Sequence, residues 1–126
     1  MEATQDTSEP LVERRGLPRL KLSIPIQFRN ILKPQEPFSG SLSKDISAGG
    51  VRFSGSTFLP KGARLVLLIS LPPLLKPIRT LAQVVWVSEQ RFSETYECGL
   101  QFIEVTPEDR DTIATYVERG VVTRRL

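Results

Sequence analysis

A chain of 126 residues with 40% hydrophobic and 25% charged side chains has the size and make-up of one globular domain, which excludes a disordered chain and leaves little room for a second core. Histidine is absent and cysteine occurs once, so Ser/His/Asp and Cys/His catalysis, an internal disulfide and a thiolate zinc cluster are all excluded. The formal net charge of +3 is mild, and its placement says more than its size.

Residues 1–12 carry Glu2, Asp6 and Glu9 and lack the basic start and apolar run of a secretory signal, so they read as the flexible tail of a cytoplasmic protein. The folded domain is expected over residues 13–120, with a short carboxy-terminal tail over 121–126. Arg14, Arg15, Arg19, Lys21, Arg29 and Lys33 then follow closely, opposed only by Glu13, whereas Glu104, Glu108, Asp109 and Asp111 gather near the other end. Such asymmetry suits an anionic partner near the amino-terminal segment; a solvated charged face is the simpler reading of charge alone. Within this segment Gly16 and Pro18 oppose a continuous helix, and residues 14–19 should form an irregular arm.

Leu20, Leu22, Ile24, Ile26 and Phe28 alternate with polar residues and Pro25, the period-two pattern of a strand with one buried face. Pro25 cannot donate to a ladder, which puts this strand at an edge or turns that position outward. A second strand fits 38–46 and a third 51–54, joined through Ala48-Gly49-Gly50 as a hairpin. Apolar runs at 64–71 and 78–87 read as the fourth and fifth strands around the turn-rich 72–77. Ser70, Pro72 and Pro73 interrupt the most apolar stretch, 65–75, well below the roughly 20 residues of a spanning helix. After a polar loop at 88–93, Tyr96, Cys98, Leu100 and Phe102 share one face of a sixth strand, with Cys98 as a small core residue. Six short strands make an all-β barrel or sandwich. Thr106 can then cap a helix, Pro107 suits its first position, and Ile113, Tyr116 and Val117 fall on one face of about three turns ending near Gly120.

Two loops combine polar groups with open backbone: 14–19 and Asp45-Ile46-Ser47-Ala48-Gly49-Gly50. Asp45 and Ser47 at a turn can simply cap local backbone groups. Arg15 and Arg19 nevertheless match RxxxR, and Asp45, Ser47 and Gly50 match [D/N]xSxxG one strand later. In order and spacing they resemble the PilZ domain family. The resemblance continues through Val51-Arg52-Phe53, Val84-Val85-Trp86, Gly99-Leu100-Gln101-Phe102 and Thr106-Pro107-Glu108, covering about 13–119.

That resemblance implies a six-stranded antiparallel β-barrel with a flexible amino-terminal arm and a carboxy-terminal α-helix, and the binding of cyclic di-GMP. The ligand chemistry agrees with the residues. Arginine forks can grip phosphate or guanine O6/N7 and stack on a ring, an ionised Asp45 can accept from guanine N1 and N2, and Ser47 can hydrogen-bond base or phosphate. Gly50 would shape the turn. Arg14 is either an extra phosphate contact or a surface charge, and Trp86 either stacks on guanine or joins the core. The expected protein is a receptor or adaptor, monomeric or homodimeric, that couples the messenger to a downstream partner protein by ordering its arginine arm. It needs no metal, catalytic residue or cofactor. A PilZ-like interaction module that does not bind nucleotide is the alternative. Single-stranded nucleic acid is disfavoured because only 7% of residues are aromatic and most keep core register. The carboxy-terminal acids read as a solvated helix face rather than a catalytic pair, so an enzyme is disfavoured too.

Overall fold

The computed structural model describes residues 18–72 and 74–125. Arg14 and Arg15, with the arm that carries them, lie outside these residues. Six antiparallel strands, β1 (Pro25–Asn30), β2 (Ser39–Ser47), β3 (Gly50–Gly55), β4 (Arg64–Ile69), β5 (Ile78–Gln90) and β6 (Thr95–Glu104), close into a barrel in the order β1-β2-β3-β6-β5-β4. Helix α1 (Pro107–Arg125) follows. Alternation places Ile26, Phe28, Ile46, Val51, Phe53, Leu65, Leu67, Ile69, Val84, Leu100 and Phe102 inside, where they form one continuous apolar core. Closure leaves no strand with an unpaired edge.

The alternation at 20–28 reads the burial correctly and the pairing only in part. Leu20, Ile24, Ile26 and Phe28 are buried, but the ladder begins at Pro25, and the preceding segment makes a single bridge, Leu20 to Ile46. The Ser43 hydroxyl explains this, because it donates to Leu22 O at 2.6 Å and accepts from Ile24 N at 2.9 Å. A side chain thus serves backbone groups that a ladder would otherwise pair. Pro25 sits at the first position of β1, exposed, in a strand paired on both sides, so it is outward rather than at an edge.

Two further elements run longer than their hydrophobic patterns. Ser88, Glu89 and Gln90, expected in a loop, pair with Glu97, Tyr96 and Thr95 and extend the β5–β6 hairpin beyond the core. Polar residues on a solvated ribbon leave no apolar period to read. Helix α1 starts as expected, with Asp109 N donating to Thr106 Oγ1 at 3.1 Å and Ile113 and Val117 buried against the barrel. It does not stop near Gly120 but continues to Arg125, through most of the expected tail. Gly120 serves a close approach instead: a Cβ there would lie 2.6 Å from Leu20 Cδ2. Among the described residues no helix is long and apolar enough to cross a membrane.

Candidate ligand-binding site

The two-residue turn Ala48-Gly49 fixes the register of the β2–β3 hairpin: Ser47 faces Gly50, Ile46 faces Val51 and Asp45 faces Arg52. Arg52 also faces Gly99 of β6, and Gly99 faces Trp86 of β5. Because Val51, Phe53, Cys98 and Leu100 point inward, Asp45, Arg52, Gly99 and Trp86 form one row across the outside of four strands. Register shifts occur at Ser43/Asp45 and at Val84/Trp86, at either end of this row. Such irregularities re-aim side chains beside functional sites.

Glycine makes the row shallow enough to hold a ligand. A Cβ on Gly99 would overlap the Trp86 indole, so the ring lies down over the bare backbone and remains 38% exposed. Trp86 therefore belongs to the outer surface and not to the core. At Gly50 the reason differs from the turn conformation expected of it. The position has no positive φ, and an added Cβ would overlap the Leu100 carbonyl of β6. A hollow of about 610 Å³ results, lined by Arg19, Ser47, Gly50, Arg52, Trp86 and Arg110 among others, within the size range of small-molecule sites.

Asp45 is the electrostatic centre of this region. Its carboxylate is almost fully buried yet doubly paired: Arg19 Nη1 donates to Oδ1 at 2.6 Å and Arg52 Nη2 to Oδ2 at 2.8 Å. Arg52 lies 3.8 Å from Glu97 as well, and Glu97 accepts from Lys44 at 2.9 Å. A buried carboxylate held by one guanidinium on each oxygen keeps lone pairs to spare on both. Ser47 is buried, and its Oγ accepts from Gly49 N at 3.1 Å, which is local capping of the turn. Cys98, on the inward face behind the row, has its thiol pushed up to about 12 by burial and by the nearby Glu97 charge.

The structure thus brings Arg19, Ser47, Gly50 and Trp86 to one hollow and holds Asp45 beside it through Arg19 and Arg52, while Arg14 and Arg15 lie outside the described residues. The remaining basic residues of the amino-terminal group go elsewhere; Arg29, for example, stands over the Phe38 ring at 4.3 Å. Arg52 and Arg110 take their place, and neither was singled out from the sequence. Arg52 was within reach, since counting back from a two-residue turn puts it opposite Asp45. Arg110 was not. It comes from α1, donates to Ala48 O at 3.4 Å, and reaches the turn only through packing of the helix on the barrel.

A polar hollow on a small closed barrel, beside a doubly held carboxylate and lined by three arginines, has the charge and donors to suit an anionic, hydrogen-bonding ligand. The PilZ domain model matches residues 13–119, and the chain belongs to that family. Among solved structures it is similar to the Bacillus subtilis inhibitor of motility MotI/DgrA, with a TM-score of 0.77 and 25% identity over 91% of this chain and 55% of that one. The PilZ domain of Escherichia coli YcgR, solved with c-di-GMP, aligns with a TM-score of 0.64 at 17% identity, covering 90% of this chain and 98% of that one. The c-di-GMP complex of MrkH from K. pneumonia aligns with a TM-score of 0.72 at 24% identity, covering 90% of this chain and 55% of that one. The chain therefore spans about half the length of MotI/DgrA and MrkH. No curated protein matches the sequence.

Proposed function

We propose that this protein binds cyclic di-GMP in the hollow on the outer face of β2, β3, β6 and β5 and acts as a receptor rather than an enzyme. The observation that carries this reading is the convergence of Arg19, Ser47 and Trp86, from three separate segments, on one hollow, with Asp45 held beside it by Arg19. The excess of guanidinium groups there favours a dianionic ligand, and the exposed indole offers a guanine a stacking face. Asp45 supplies acceptors for guanine N1–H and N2–H, donors that adenine lacks in that arrangement.

In the structure Arg19 is bound to Asp45 while its side chain remains 55% exposed, so it can leave the carboxylate at modest cost and turn to a phosphate or a base. The segment that carries Arg14 and Arg15 continues directly from Arg19 and closes over the ligand with it. A partner protein reads this rearrangement, because only contacts that differ between the free and bound states can shift such an equilibrium. Titration calorimetry with cyclic di-GMP, GTP, GMP and cyclic di-AMP tests the reading. Cyclic di-GMP should bind tightest, and affinity should fall as salt screens the arginine contacts. Equal affinity for cyclic di-AMP would overturn guanine recognition by Asp45, and no binding at all would favour the interaction module that does not bind nucleotide.

A further inference from the structure

The two arginines on Asp45 are not equivalent. Arg19 precedes β1 on a segment tied to β2 by the Leu20–Ile46 bridge, and more than half of its side chain is exposed. Arg52 stands within β3, paired through the backbone to Asp45 on one side and Gly99 on the other, and its side chain is 35% exposed. Its guanidinium spans two carboxylates, Asp45 at 2.8 Å and Glu97 at 3.8 Å, and Glu97 is itself held by Lys44. In this orientation its Nε is buried and finds no acceptor among the described residues. A buried donor left unpaired is unfavourable, so this pose answers to the carboxylates and not to the donors of Arg52 itself.

We infer that Arg52 is a positioning residue that decides base selectivity: through Oδ2 it holds the Asp45 carboxylate in place while Oδ1 changes partner from Arg19 to the N1–H and N2–H donors of a guanine. The inference rests on the cyclic di-GMP reading above. Without Arg52 the departure of Arg19 would leave a buried carboxylate with no cation, and the side chain would rotate toward solvent. With it, the acceptor stays in position through the exchange. An adenine offers a lone pair at N1, which the same fixed carboxylate repels, so fixing the carboxylate enforces the choice of base. Glu97 and Lys44 act one step further back, by keeping Arg52 extended along the sheet.

Arg52→Ala and Arg52→Lys test this with two readouts. The first is calorimetric affinity for cyclic di-GMP and cyclic di-AMP, and the second is the Asp45 carboxyl ¹³C resonance of the protein without nucleotide. Arg52→Ala should weaken cyclic di-GMP about tenfold or more while changing cyclic di-AMP far less, so that the preference collapses. Arg52→Lys, which restores a cation at the same place, should recover part of the preference. The Asp45 resonance should move in Arg52→Ala and return toward the parent in Arg52→Lys. Equal weakening of both dinucleotides would make Arg52 a phosphate contact and overturn the inference alone, as would an Asp45 resonance indifferent to Arg52→Ala. A parent protein that binds neither dinucleotide overturns the selectivity claim together with the ligand reading.

Discussion

The two walls of the barrel are built differently. The β1–β4 wall is regular: five residue pairs join β1 to β4 with no shift in register, and Leu65, Leu67 and Ile69 are fully buried behind it. The β2–β3–β6–β5 wall carries a register shift at each end of its outer row, two glycines where neighbouring groups come too close for a Cβ, and the doubly paired Asp45. Regular pairing with leucine packing holds the fold together, and the charge and close backbone approaches of the candidate site are gathered where the ladder gives way.

Breaking the regular wall should cost the most stability and leave recognition intact. Leu67→Ala removes a fully buried side chain and should destabilise by about 2–5 kcal/mol in chemical denaturation, with nucleotide affinity unchanged under conditions where the protein is folded. Gly50→Ala strikes the other wall, because its Cβ meets the Leu100 backbone and not the end of a flexible side chain. It should destabilise by about 1–3 kcal/mol and weaken nucleotide binding together, which paired thermal melts and titrations would reveal. Arg19→Ala separates the two properties. It should abolish tight nucleotide binding and change stability by only about half a kcal/mol, as expected of a half-exposed side chain outside the core. Least affected is Cys98: with its thiol pushed up to about 12, it should stay protonated and resist alkylation at pH 8 in the folded protein, then react readily in denaturant. The same shift makes folding lose stability as pH rises from about 9 toward 12, because the unfolded chain releases this proton first.

How much of each wall could be read beforehand follows from what periodicity reports. Alternation at Ile24, Ile26 and Phe28 and the apolar runs around Leu67 and Val84 mark the core, because burial itself writes that pattern. The start of β1 does not follow from periodicity, because a single hydroxyl, Ser43, takes over backbone bonding that no period encodes. The far end of the β5–β6 hairpin escapes periodicity, because a solvated ribbon has no apolar face to show. At the site, Asp45, Ser47 and Gly50 were legible from their spacing, and the partner of Asp45 was one register count away at Arg52. Arg110 was beyond reach, since the place where a helix meets a turn is decided by packing between Leu20, Gly120 and the buried face of α1. Trp86 shows the converse. Its valine-rich strand suggests burial, and a shift of register after Val84 combined with the bare Gly99 turns it outward.

The division between the walls is tested most directly by titrating isotope-labelled protein with cyclic di-GMP and following backbone amides and the indole N–H by NMR. The account predicts that the amides of residues 47–52 and 99–101 and the single indole N–H shift and saturate together, while those of residues 65–69 stay in place. Saturable shifts centred on the β1–β4 wall, or a spectrum that does not change with cyclic di-GMP, would contradict it.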